Sequence, residues 1–96
     1  MKICTNHKGR LKSKGIKILA KALGVNIKRA KQCAKKTDDI IAEIRQHKWL
    51  WEIEEDKNGG FNCRVEGYQS RSWYSPANAL SLCVVEKFRY DKKRAE

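Results

Sequence analysis

The stretch Gly15–Gln32, GIKILAKALGVNIKRAKQ, decides how the rest of the chain is read. Ile16, Leu19, Ala20 and Leu23 fall at i, i+3, i+4 and i+7, the spacing of a one-faced helix from Lys14 to Leu23. Lys14, Lys17 and Lys21 occupy the opposite face. Gly24 breaks the pattern, because glycine takes the left-handed conformation that closes a helix, and Val25 is placed to pack across the corner. Asn26 is a favourable N-cap for a second helix from Ile27 to Lys36. That helix is expected to turn Ile27, Ala30, Cys33 and Ala34 inward and Lys28, Arg29, Lys31, Gln32, Lys35 and Lys36 outward.

Upstream, residues 1–13 read as a basic arm, with an edge strand at Met1–Cys4 as the alternative. Downstream, Thr37-Asp38-Asp39 is a helix start, since aspartates near an N-terminus complement the macrodipole. The third helix runs to about Lys48 with Ile40, Ile41 and Ile44 apolar. The period then changes to two. Trp49, Trp51 and Ile53 alternate with Leu50, Glu52 and Glu54, and Lys57-Asn-Gly-Gly60 makes a hairpin turn. Phe61, Cys63 and Val65 share one side of the return strand. Gly67 marks a bulge or a second bend, and Tyr68–Tyr74 is open to a short third strand, so that the strands form either a hairpin or a three-stranded meander. Ser75-Pro76 starts a last helix that carries Ala77, Leu80, Cys83, Val84 and Phe88 inward and ends in a frayed Lys92-Lys-Arg94 tail. Helices grouped before strands predict an α+β fold: a helix-turn-helix-like module over 14–48 and a hairpin-plus-helix body over 49–96, forming one compact unit.

Ninety-six residues allow one modest core, and no apolar run approaches the ~20 residues that span a bilayer. No secretory signal is visible, so a cytoplasmic location and no membrane partner are expected. The net charge of +11 is unevenly spread: twelve of the 22 Lys and Arg residues, and none of the 11 acids, lie in Met1–Lys36. Segregation of this kind points to contact with a polyanion.

The four cysteines lack metal-site spacing. Cys4-Thr-Asn-His7 is the only close pair, so zinc is set aside, and Cys33, Cys63 and Cys83 are expected as reduced core residues. Trp49, Trp51, Trp73, Tyr68 and Tyr74 could stack on single-stranded bases, but the shared face of Trp49, Trp51 and Ile53 favours core. Glu52, Glu54, Glu55 and Asp56 have no partner His or nucleophile and read as a solvated strand face. No catalytic constellation or phosphate-binding glycine loop is present in the sequence, and no cofactor or enzymatic activity is expected.

The elements Leu19-Ala20, Leu23-Gly24-Val25, Ala30 and Cys33 resemble the helix-turn-helix of the repressor and Cro family. Ala30 stands where that family usually has Val or Ile. The string Leu19-Ala-Lys-Ala-Leu-Gly-Val25 is also similar to the small N-terminal helical domain of bacterial translation initiation factor 2, which would point to RNA or the ribosome. Pro76-Ala-Asn-Ala79-Leu80-Ser-Leu82-Cys83 resembles the helix entry of a small α/β/α sandwich domain of phage proteins, implying a phage or prophage origin and a host cytoplasm. The repressor-type resemblance implies Asn26, Lys28, Lys31 and Gln32 near base edges and Lys14, Lys17, Arg29, Lys35 and Lys36 on phosphates. The expected function is nucleic-acid binding, DNA ahead of RNA, by a phage or mobile-element regulator, with the C-terminal body serving stability or homodimerisation. The alternative is a counter-defence or host-takeover inhibitor whose basic face plugs an acidic or nucleic-acid-binding host protein.

Overall fold

The computed structural model describes residues 11–72 and 75–95. Their order is α1 (Ser13–Leu23), α2 (Ile27–Lys35), α3 (Thr37–Gln46), β1 (Trp51–Glu55), β2 (Phe61–Val65), β3 (Tyr68–Ser72) and α4 (Pro76–Ala95), the expected α+β arrangement. The edge strand considered for Met1–Cys4, and Trp73 and Tyr74 at the end of the third strand, lie outside the described residues.

The helical half is built by its ends. Gly24, at φ 71°, closes α1: its own amide donates to the Lys21 carbonyl (3.3 Å) and that of Val25 to Ala20 (3.0 Å). This is the Schellman arrangement, which needs one left-handed residue. The end of α3 repeats it with a lysine. Lys48 takes φ 60°, its N–H donates to Arg45 O (3.0 Å), and Trp49 N–H donates to Ile44 O (3.2 Å). Helix α3 thus stops at Gln46, two residues short of expectation, because Lys48 turns the chain into the sheet.

The strands form an antiparallel meander in the order β1-β2-β3. Register pairs Trp51 with Val65, Ile53 with Cys63, Cys63 with Ser70 and Phe61 with Ser72, so these share the inner face. Glu52, Glu54, Asn62, Arg64, Gln69 and Arg71 share the outer one. Glu66 and Gly67, at φ 51° and 86°, make a tight two-residue turn with both φ values positive, so Gly67 marks a bend and not a bulge. In the first turn Asp56 organises the loop. Its Oδ1 accepts from Asn58 N (2.8 Å) and Gly60 N (3.0 Å), and its Oδ2 accepts from Arg71 Nε (2.6 Å). At Gly60 a Cβ would stand 2.9 Å from the Arg71 guanidinium, so a larger residue there would displace that flexible side chain.

Helix α4 is the pillar between the two halves. It packs on β2 and β3 on one side and on α1, α2 and α3 on the other. Every residue from Ala77 to Val85 is buried, so the first half of this helix buries its whole circumference. Ala77, Leu80, Cys83 and Val84 are inward as expected and their neighbours are buried too, whereas Phe88, also expected inward, is only half-buried. The helix also continues through the tail read as frayed, to Ala95. Asn78, 3% exposed, fastens three elements: its Oδ1 accepts from Leu11 N (3.1 Å) and its Nδ2 donates to Ser72 Oγ (2.9 Å) at the end of β3. Cys33, Cys63 and Cys83 are buried as expected; Cys4 lies outside the described residues. Burial pushes the Cys33 thiol up to about 11, against the pull of Arg29, and the Cys63 thiol up to about 12. Thiols held protonated in this way behave as small hydrophobes.

Candidate nucleic-acid interface

On α1, Lys14, Lys17 and Lys21 are exposed opposite the buried row Ile16, Leu19, Ala20 and Leu23. On α2, Lys28, Lys31 and Lys35 recur at i, i+3 and i+7 with Gln32 beside them, opposite buried Ala30 and Cys33. Lys12 and Lys36 are exposed at the flanks. A cavity of about 240 Å³ connects the two helices: Ser13 and Ile16 at the start of α1 and Lys31, Ala34 and Lys35 in the later turns of α2 line it, with Leu11 and Asn78. Lys31 and Lys35 thus border a cavity that also touches the first turn of α1. Among the described residues, none of these eight lysines has a carboxylate partner within ion-pairing distance.

Arg29 is different. It was expected among the outward cations; the structure turns it against α3, half-buried. There Nη1 meets Asp39 Oδ1 at 3.0 Å and Nε meets Glu43 Oε2 at 3.1 Å. The hydrogen bonds to Asp39 and then Glu43 hold its pKa above the ordinary arginine value. Asp39 and Glu43 lie four apart on one helix face, the spacing that lets both reach a single guanidinium. Asn26 is also engaged: its side chain accepts from Arg29 N at 2.8 Å, capping α2 as its residue type predicts. Ile27 departs from expectation in the other direction. Read as inward, it is 44% exposed, because the burial direction of α2 is fixed by Ala30 and Cys33 and the first helical residue overhangs the contact.

His47 was not singled out by the sequence, yet it braces the corner between the helices. Its Nε2 lies 3.0 Å from the carbonyl of Leu23, the last residue of α1; a carbonyl only accepts, so Nε2 carries the proton. The ring stacks on Trp49 with centroids 4.3 Å apart, and Lys87 Nζ stands 5.1 Å from the same indole. Trp49, Trp51 and Ile53 are half-buried against the core, as favoured over a stacking platform. No signal in the sequence ties His47 to Leu23, 24 positions away.

The residues expected to act on nucleic acid therefore divide. Lys14, Lys17, Lys28, Lys31, Gln32, Lys35 and Lys36 are exposed, while Asn26 and Arg29 hold the scaffold. Lys21 joins the exposed set by the same helical spacing, and Lys12 joins it from the extended N-cap position of α1. Two larger cavities, about 570 and 450 Å³, lie over the polar sheet with Leu50, Glu52, Glu54, Asn62 and Arg64 among their linings, and share no residue with the cationic helices. Among the described residues no group of three or more His, Cys, Asp or Glu side chains could hold a metal ion, and no helix is long and apolar enough to cross a membrane. Cys4 and His7 lie outside the described residues. No family model, curated protein or solved structure matches the chain.

Proposed function

We propose that the protein binds duplex DNA through α1 and α2, as a small regulator or architectural factor and not as an enzyme. The observation that carries this reading is the set of eight exposed lysines, six on two packed helices and two at their flanks, without carboxylate partners among the described residues, in a chain that keeps every acid outside its first 36 residues. A merely solvated face interleaves both signs; a face that meets phosphates does not.

The second support is rigidity. The corner between α1 and α2 is held by Gly24, by the Asn26 cap, by His47 on Leu23 and by Arg29 against α3. Ordering these groups in the free protein removes a cost that binding would otherwise meet. Helix α2 has nine residues, about 13 Å of length, and presents Lys28, Lys31, Gln32 and Lys35 along one side. B-form DNA offers a major groove ~12 Å wide that admits such a helix, whereas the deep, narrow major groove of A-form RNA does not. Lysines on phosphates position the protein; Lys28, Lys31 and Gln32 are the groups whose donors suit base edges.

The test is a titration of a fluorescent random-sequence duplex DNA with the purified chain, beside the same length of duplex RNA. Binding to DNA that weakens log-linearly with salt and exceeds binding to RNA supports the reading. No binding to either duplex, together with a host protein that co-purifies after nuclease treatment, would assign the basic face to a protein partner.

A further inference from the structure

The first turn of α2 carries an exposed isoleucine among cations, and the proposed duplex-DNA reading, on which this inference rests, gives it a chemical task. Ile27 is 44% exposed, although burying such a side chain contributes ~1.5–3 kcal/mol. Lys28 and Lys31, one and four positions on, are exposed beside it. The two polar groups of this turn best able to make bidentate contacts with base edges are committed elsewhere: Asn26 accepts the Arg29 amide, and Arg29 is paired with Asp39 and Glu43. What this turn offers outward is thus one branched apolar side chain set beside ammonium groups.

A protein partner fits this poorly. A lone isoleucine among lysines is far from the ~1,000 Å² a stable protein interface needs. A major-groove wall fits it better. Phosphates answer the lysines, and thymine is the one standard base that presents a methyl group there. A helix that enters the groove by its N-terminal end brings its first residues to the base edges. We infer that Ile27 is a specificity-determining residue that packs on thymine methyl groups, so that the protein selects thymine-containing sites over equally charged sites without thymine.

The experiment separates this from the binding reading itself. Duplexes are selected from a randomised library with the wild-type protein, and each selected duplex is remade with deoxyuridine at one thymine at a time, which removes only the methyl. Affinities are measured at constant salt for wild type and for Ile27→Ala. One buried methyl at ~0.8 kcal/mol corresponds to about fourfold in affinity. Expected is about a fourfold loss at one or two thymines for wild type and no loss at those positions for Ile27→Ala. Uracil tolerated at every position, equal losses in both proteins, or selected sites without thymine would overturn the role of Ile27 while leaving salt-dependent binding in place. Absence of any salt-dependent binding to duplex DNA would overturn both. Because the deoxyuridine arm alters only the DNA, its result does not depend on how the variant folds.

Discussion

The sheet and the first two helices treat positive charge in opposite ways. On the outer sheet face Arg64 meets Glu52 at 3.5 Å and Arg71 meets Asp56, so both arginines have internal carboxylates. On α1, α2 and their flanks eight lysines have none among the described residues, and the one arginine that does, Arg29, is turned to the α3 side. Both sheet arginines are thus answered within the chain, whereas the lysines of the two helices and their flanks carry a charge that a polyanion could neutralise. Exposed pairs such as Arg64–Glu52 contribute little to stability, so the contrast concerns what each surface can bind more than how firmly it folds.

The largest expected effect comes from reversing the unanswered charge. Replacing Lys28, Lys31 and Lys35 together by Glu should weaken duplex binding at least about a hundredfold at moderate salt, measured by anisotropy. The melting temperature should stay close to wild type, since none of these side chains is buried. Arg64→Glu on the sheet is the matched control and should leave affinity nearly unchanged; an equal loss there would dissolve the contrast between the two surfaces.

Stability is expected to respond at α4. Asn78→Ala removes the acceptor of Leu11 N–H and the donor to the Ser72 hydroxyl in a buried setting. It should cost about 1–3 kcal/mol in denaturant unfolding, with the salt dependence of binding unaltered. Arg29 lies between these cases. Its pairs with Asp39 and Glu43 are partly exposed and screened by solvent, so Arg29→Gln should cost about 0.5–1 kcal/mol of stability. Its binding slope against salt should match wild type; a slope flatter by about 0.9 would return Arg29 to the phosphate contacts.

The smallest effect concerns acid. Although burial works to raise it, the bonds from Arg71, Gly60 and Asn58 hold the Asp56 carboxyl below the usual carboxylate range. A carboxylate whose folded pKa is lowered stabilises the fold above its unfolded value and loses that contribution as the pH falls through the folded one. Amide resonances of Asn58 and Gly60 should therefore move below about pH 4, while those of α1 do not follow. Loop amides unmoved down to pH 2 would remove Asp56 from this role.

Much of the fold was legible because it depends on local rules. Gly24 and Asn26 mark the corner between the helices, Ser75-Pro76 marks the start of α4, and the change from helical period to alternation falls close to β1. What escaped depends on where elements go in space. In α4 the expected Ala77, Leu80, Cys83 and Val84 are buried, but so is the rest of Ala77–Val85, because this stretch lies between two layers; its near-continuous apolar run was the available sign. Lys48 ends α3 in a conformation that residue type does not announce. In the candidate interface, the lysine stripes followed from helical spacing. The inward turn of Arg29 depends on α3 presenting Asp39 and Glu43 to it, and Ile27 is exposed because contacts of Ala30 and Cys33 set the tilt of α2. Neither follows from helical periodicity alone.

The central claim is that the lysines of α1 and α2 displace counterions from a duplex. The most direct measurement is the slope of log affinity against log salt for the wild-type chain, beside Lys28, Lys31 and Lys35 replaced together by Gln. Five to six of the eight lysines on phosphates would give a wild-type slope near about −5, flatter by about 2.7 in the triple variant. A wild-type slope near zero, or the same slope in both proteins, would contradict it.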